Sequence, residues 1–288
     1  MGNFQLFVVS VAIWGSTWLA IKFQLGRVAP EASVFYRFLL GSLLIFAYCR
    51  LRRMPLAYSA REHLWIALFG VFMFSVSYIC VYYAERYVVS GLVAVGYSAS
   101  PLLGMLGMRL FFATPVTRRV LAGSLLGMVG ITLVFWPEFS HLRSDGDTAL
   151  GALFTVIAVV VSALGAMVAH RNQPHVPLWQ GMAWGMLYGS LFSLAVALFL
   201  GRPLEFEATP AYVLSLLYLT ILGSIVAFGA YLTLLKRVGA ARAGYTGVMI
   251  PIVALVVSAA FEGFRWHALT WAGIAVSVAG NILVLRGK

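Results

Sequence analysis

Apolar runs of about twenty residues, each long enough to cross a bilayer as a helix, follow one another along the whole chain with only short gaps between them. They read as ten spans, at residues 4–23, 32–50, 64–84, 90–112, 120–136, 148–170, 178–200, 211–234, 243–262 and 268–285. The gaps carry turn formers such as Pro30, Pro55, Pro115, Gly146, Pro177, Gly201 and Pro210. The period-two alternation of a membrane β-barrel does not run over these lengths. Of the 288 residues, 62% are apolar and 10% charged, whereas a soluble domain is about a quarter charged. Little chain remains outside the spans for a soluble domain. The expected fold is all-α and integral to the membrane.

The net charge of +11 does not indicate a nucleic-acid partner, because the basic residues sit in the gaps and not on one solvated face. Their placement reads as topology. With the N-terminus inside, thirteen Lys and Arg fall in inner gaps and tails and six in outer ones, with Arg37 inside a span. Cytoplasmic loops hold the basic excess, so both termini are expected in the cytoplasm. Met1–Gln5 has no charge and lacks the basic n-region of a cleavable signal, which makes the first span a permanent one. Cys49 and Cys80 have no metal or redox spacing. The expected partners are the bilayer and a small-molecule substrate, with the chain compatible with a monomer. No cofactor or metal is expected.

The chain also repeats itself. An offset of 150 residues carries Pro101 onto Pro251, Gly123 onto Gly273 and Gly130 onto Gly280, and an offset of 148 carries Gly41-Ser42 onto Gly189-Ser190. Residues 1–138 and 139–288 then hold five spans each. An odd number makes the two copies cross the membrane in opposite senses. The basic gap around Arg50–Arg61 accordingly maps onto the acidic gap with Glu205 and Glu207. Inverted repeats of this kind typify transporters, with substrate held near the midplane between the halves.

The first span, Ala12-Ile13-Trp14-Gly15-Ser16-Thr17-Trp18-Leu19-Ala20-Ile21-Lys22, and the second, with Phe35-Tyr36-Arg37-Phe38-Leu39-Leu40, resemble the EamA family of the drug/metabolite transporter superfamily. Tyr78–Ala84 and Gly91–Pro101 are also similar to that family, and the resemblance covers essentially the whole chain. It implies a ten-helix 5+5 basket with a central cavity that exports small metabolites. Within the family the chain looks most like bacterial amino-acid exporters of the YddG type, which handle aromatic and other neutral amino acids. Small multidrug relatives in the superfamily depend on an acidic residue in the first span, where this chain has Trp14, Gly15 and Ser16. That departure argues against proton-coupled export of cations.

Several residues are candidates for the substrate path. Trp14 and Trp18 share a helix face, with Thr17 beside them. Tyr78 and Tyr82 do the same on the third span, one turn after Ser75. Tyr97 lies one turn before Pro101, and Tyr231 and Tyr245 occupy related places in the second half. Such rings accept a flat apolar side chain and offer hydroxyls and ring faces to polar groups, although aromatic residues at helical spacing also pack against lipid. Lys22 and Arg37 are ionisable groups in or at the end of spans, near an outer gate. They serve either as anchors, with Glu31 in the joining loop as a partner, or in carboxylate recognition and gating. Pro101 and Pro251 kink their helices and act either as hinges or as static bends. Glycine ridges at Gly181, Gly185 and Gly189, at Gly96, Ser100 and Gly104, and at Gly123 and Gly127 suit close helix packing. No motif of a zinc hydrolase, serine hydrolase or phosphate loop is present, so an integral-membrane enzyme and a channel are the weaker alternatives to a carrier. The nine acids fall in gaps or at span ends, which favours facilitated diffusion over a proton relay.

Overall fold

The computed structural model describes residues 1–99, 103, 107, 109–111, 117–140, 147–172, 175–243 and 245–286. Among the described residues every regular element is a helix. Helix α1 spans Asn3–Lys22, α2 Pro30–Leu51 and α3 Ala60–Tyr87, the last with a π-helical turn at Phe72–Val76. Then come α4 (Ser90–Tyr97), α5 (Arg118–Ser140), α6 (Asp147–Asn172) and α7 (Leu178–Phe199). Helix α8 joins Pro210–Leu217 through a π-helical stretch, Tyr218–Val226, to Ala227–Ala243. Helices α9 (Tyr245–Phe261) and α10 (Ala268–Arg286) complete the chain.

Local signals set the helix ends. Ser59 and Glu62 close a capping box at the start of α3, satisfying two backbone donors reciprocally. Pro30 and Pro210 open α2 and α8, where a missing N–H costs nothing. Gly201 and Gly263, at φ 63° and 71°, follow the ends of α7 and α9 in the left-handed conformation that suits glycine.

Six of the described helical stretches are long and apolar enough to cross a bilayer, namely α1, α2, α3, α6, α7 and Pro210–Leu234 of α8, and Thr246–Phe261 and Ala268–Leu283 are shorter apolar helices. Large side chains such as Phe4, Leu43, Leu125, Phe199 and Trp271 stand exposed on the outside of the bundle. That is the surface lipid would cover, not water. The expected spans at 4–23, 32–50, 148–170 and 178–200 match helices to within a few residues, whereas the expected 90–112 is described as a continuous helix only over Ser90–Tyr97 and α8 runs on to Ala243, past the expected end at 234. Helix α3 runs past the expected end at 84 to Tyr87, and so draws Glu85 into its last turn, where it is fully buried.

Glycines permit the tightest crossings. A Cβ on Gly70 of α3 would lie 2.2 Å from the Gly185 carbonyl oxygen of α7, and one on Gly189 would lie 2.6 Å from the Gly70 carbonyl oxygen. Gly130 of α5 meets Gly273 of α10 equally closely, and Gly280 meets Gly123 and Gly127. Two of the three ridges seen in the sequence are thus used within the chain. In the third, Gly96 faces Thr155, while Ser100 and Gly104 lie outside the described residues.

The described connections gather at two rims. One holds Arg27 hydrogen-bonded to Glu205 (2.7 Å), Tyr83 donating to Glu31 (2.8 Å) and Lys22 paired with Glu262 (3.5 Å). The opposite rim holds the Arg50–Arg53 turn, Arg171 over the Trp65 ring (3.7 Å), and Arg237 donating to the Met1 carbonyl. They are called here the acidic and the basic rim.

Candidate functional site

A cavity of about 290 Å³ lies among α1, α2, α3, α4, α8 and α9. Its wall contains Trp14, Thr17, Trp18 and Ile21 of α1, Arg37 of α2, and Tyr78 and Val81 of α3. Ala94, Tyr97 and Ser98 come from α4 and its end, Phe228 from α8, and Gly247, Ile250 and Pro251 from α9. The volume is at the lower end for small-molecule sites, and a mostly apolar wall with few polar groups is their usual chemistry.

The aromatic wall residues are held by identifiable forces. The Trp14 indole N–H donates to the Gly223 carbonyl at 3.0 Å. Gly223 lies in the π-helical stretch of α8, where the altered ladder leaves backbone groups to find other partners. The Trp14 ring meets Phe228 edge-on at 5.0 Å and Tyr231 at 5.4 Å. Trp18 packs on Tyr97 at 5.0 Å, and the Tyr97 hydroxyl is bonded to Ser77. Tyr78 meets Phe38 edge-on at 4.8 Å and carries the Arg37 guanidinium over its face at 4.6 Å.

Arg37 is the unusual member. It is 3% exposed, its Nε and Nη1 have no hydrogen-bond partner, and among the described residues no carboxylate lies within ion-pair distance of it. Ring faces stabilise a guanidinium by only about 0.5–2 kcal/mol, whereas leaving a charge buried and unpaired costs several.

The structure gathers most of the sequence-derived residues and disperses others. Trp14, Thr17, Trp18, Arg37, Tyr78, Tyr97 and Pro251 share the one cavity. Tyr231 stands behind Trp14, in a small apolar cluster with Leu6 and Leu234. Tyr82 is fully buried and donates to Gln24 Oε1, and Ser75 bonds Ser193 at 2.6 Å across the α3–α7 crossing; neither belongs to the cavity wall. Pro101 and the side chain of Tyr245 lie outside the described residues. Lys22 does not pair with Glu31. Its ammonium group donates to the carbonyls of Glu85 and Val88 and faces Glu262, 240 positions along the chain. Sequence reasoning missed Phe228, Ile250 and Ser98 in the wall; nothing in their spacing separates them from ordinary packing residues.

Among the described residues, bilayer-length apolar helices surround an aromatic cavity with a buried guanidinium in its wall, an arrangement that suits a membrane transporter. The chain belongs to the EamA-like transporter family, which it matches over residues 3–136 and again over 149–286. It is 28% identical over 281 residues to the uncharacterised inner membrane transporter YedA of Escherichia coli K12, covering 96% of this chain and 88% of that one. It is 25% identical to the transporter YetK of Bacillus subtilis, covering 100% and 88%, and 22% identical to protein PagO of Salmonella typhimurium, covering 98% and 92%. A solved crystal structure shares the fold at a TM-score of 0.70 and 17% identity, over 98% of this chain and 96% of that one.

Proposed function

We propose that this transporter exports aromatic and other neutral amino acids across the bacterial inner membrane, by alternating access through the cavity around Trp14, Trp18, Tyr78 and Tyr97. One observation carries the reading: Arg37, a buried guanidinium with two unpaired nitrogens, belongs to the wall of a cavity lined by aromatic rings. An amino acid complements both features. Its carboxylate takes the fork of Arg37, its ring stacks on Trp18 or Tyr97, and its ammonium faces a tyrosine or tryptophan π-surface.

Alternating access rests on two inverted repeats, residues 1–138 and 139–288, each contributing five spans, with both termini cytoplasmic. Three observations support this. The family match falls separately on each half. The π-helical turn at Phe72–Val76 recurs at Tyr218–Val226, close to the 148-residue offset of the sequence repeat. The helix contacts are also paired: α3 packs on α6 as α8 packs on α1, and α3 on α7 as α8 on α2. The basic rim then faces the cytoplasm. Among the described residues no cavity-wall residue is Asp, Glu or His, which supports facilitated diffusion of the substrate down its own gradient.

Purified protein in liposomes loaded with labelled phenylalanine, tryptophan, tyrosine, threonine and a sugar tests the reading. Efflux of aromatic amino acids without an imposed proton gradient is expected. Failure of every amino acid to move, or movement only with a proton gradient, overturns it.

A further inference from the structure

Two helix faces lead from the cavity toward the acidic rim. On α1, Trp18 and Lys22 are four residues apart; on α3, Val81 and Glu85 are four apart, so each pair lies on one face. Trp18 and Val81 line the cavity, so Lys22 and Glu85 stand one turn beyond it. There the ends of α1, α3 and α9 and the start of α4 are tied together. Lys22 donates to the Glu85 and Val88 carbonyls and pairs with Glu262 at 3.5 Å. Glu262 itself accepts from the Ser90 N–H and from the hydroxyls of Ser90 and Ser258, holding the end of α9 to the start of α4.

Glu85 differs from its neighbours. Its residue exposure is zero, and neither carboxyl oxygen has a hydrogen-bond partner. The charged groups within electrostatic reach are Lys22 from α1, Arg37 from α2 and Glu262 from the end of α9; α4 and α6 bring none among the described residues. Lys22 is already matched by Glu262 and two carbonyls, and Arg37 has no carboxylate within ion-pair distance. Arg86, next along the helix, turns away onto the Tyr83 ring at 5.2 Å. An ionised carboxylate without a donor is costly in such a place, and neutralising it removes most of that cost.

We infer that Glu85 is a proton-binding site in the gate between the cavity and the acidic rim, carrying a proton while the rim is closed and releasing it to solvent when the rim opens. The inference rests on the carrier reading for its place in a transport cycle. On opening, the carboxyl O–H bond breaks, the proton passes to water, and the carboxylate is left facing Lys22. On closing, the proton returns from the same side. No net proton crosses the membrane, so diffusion of substrate stays uncoupled while the pH at that rim sets how often the gate opens. The sign follows: the proton belongs to the closed state, so acid holds the gate shut and alkali favours opening.

Neither readout of the site needs a substrate, so both stand or fall apart from the amino-acid reading. In the infrared spectrum of the full-length protein in lipid nanodiscs at neutral pH, a protonated-carboxyl C=O band is expected, absent in Glu85→Gln and retained in Glu262→Gln. No such band in the wild type, or one that survives in Glu85→Gln, overturns the inference. The wild-type spectrum alone decides if Glu85→Gln does not fold. Ala94→Cys, in a background with Cys49 and Cys80 replaced by alanine, then reports the gate. Labelling by an impermeant maleimide from the acidic-rim side, scored as the fraction labelled against denatured protein at each pH, is expected to rise several-fold from acid to mildly alkaline pH, and to stay low at every pH with Glu85→Gln. A pH-independent wild-type fraction overturns the gating role.

Discussion

Trp14 of α1 donates its indole N–H to the backbone carbonyl of Gly223, 209 positions away in the π-helical stretch of α8. The bond joins the cavity wall to a segment whose helical ladder is already altered, and it fixes the ring edge-on to Phe228. It leaves no room for a larger residue on the α8 side, since a Cβ on Gly223 would lie 2.9 Å from the Thr17 methyl.

Gly223→Ala should therefore force α1 and α8 apart. Overpacking of this kind costs about 1–3 kcal/mol. Trp14→Phe should be milder, because the ring contacts survive and only a hydrogen bond worth about 0.5–1.5 kcal/mol is lost. Thermal unfolding of the two variants in detergent orders them; equal midpoints would show that the α1–α8 seam is looser than its geometry.

Arg37 separates stability from function. A buried cation with no carboxylate within ion-pair distance among the described residues costs folding energy, so Arg37→Met, which fills similar space, should unfold at the wild-type temperature or higher. Binding of labelled phenylalanine should fall at least about tenfold, a loss of about 1.4 kcal/mol. Arg37→Lys should recover only part, since an ammonium lacks the planar fork. Wild-type binding by the methionine variant would remove Arg37 from carboxylate recognition.

How far the site was legible in the sequence follows from these contacts. Trp14 and Trp18 could be read because spacing of four puts them on one face, and both line the cavity. Identical logic paired Tyr78 with Tyr82, yet only Tyr78 reaches the wall; Tyr82 is fully buried and bonded to Gln24. Periodicity identifies a helix face, but not which neighbour each turn of it meets. The Lys22–Glu262 pair was illegible because its partners come from opposite ends of the chain. Glu85 was placed at a span end because hydropathy falls there, while the helix continues to Tyr87 through hydrogen bonding that hydropathy does not report. The π-helical turns carry no sequence mark either.

The α3–α7 crossing should be the most sensitive part of the packing. A methyl on Gly70 meets the Gly185 carbonyl at 2.2 Å, and backbone cannot move aside as a flexible side chain can. Gly70→Ala should destabilise at or above the usual overpacking range of about 1–3 kcal/mol. Gly247→Ala, at a glycine with open space around it, should change the unfolding temperature far less. Size-exclusion profiles in detergent after mild heating give the comparison, and equal survival of the two proteins would contradict the close crossing.

Pro251 lies inside α9 and lines the cavity together with Gly247, four residues before it. Proline cannot donate to the carbonyl of the residue four positions earlier, so the Gly247 carbonyl is released from the helical ladder at the cavity wall. Helix α9 is also the element that ties α1 to the closed rim. A Cβ on Gly15 of α1 would lie 2.5 Å from Val253, and beyond the far end of α9 Glu262 meets Lys22. A bend at Pro251 can thus swing the rim end of α9 away from Lys22 while its start stays packed. Pro251→Ala restores a backbone donor and stiffens the helix, so the protein should fold with an unchanged or higher unfolding temperature. If the kink is a hinge, phenylalanine binding should stay within about twofold, about 0.4 kcal/mol, while turnover falls several-fold more than that. Cysteine accessibility from the acidic-rim side should fall with it. Wild-type turnover together with wild-type accessibility would show that the kink only shapes the cavity, and that the gate moves about another point, for which the π-helical stretch Tyr218–Val226 is the next place to substitute.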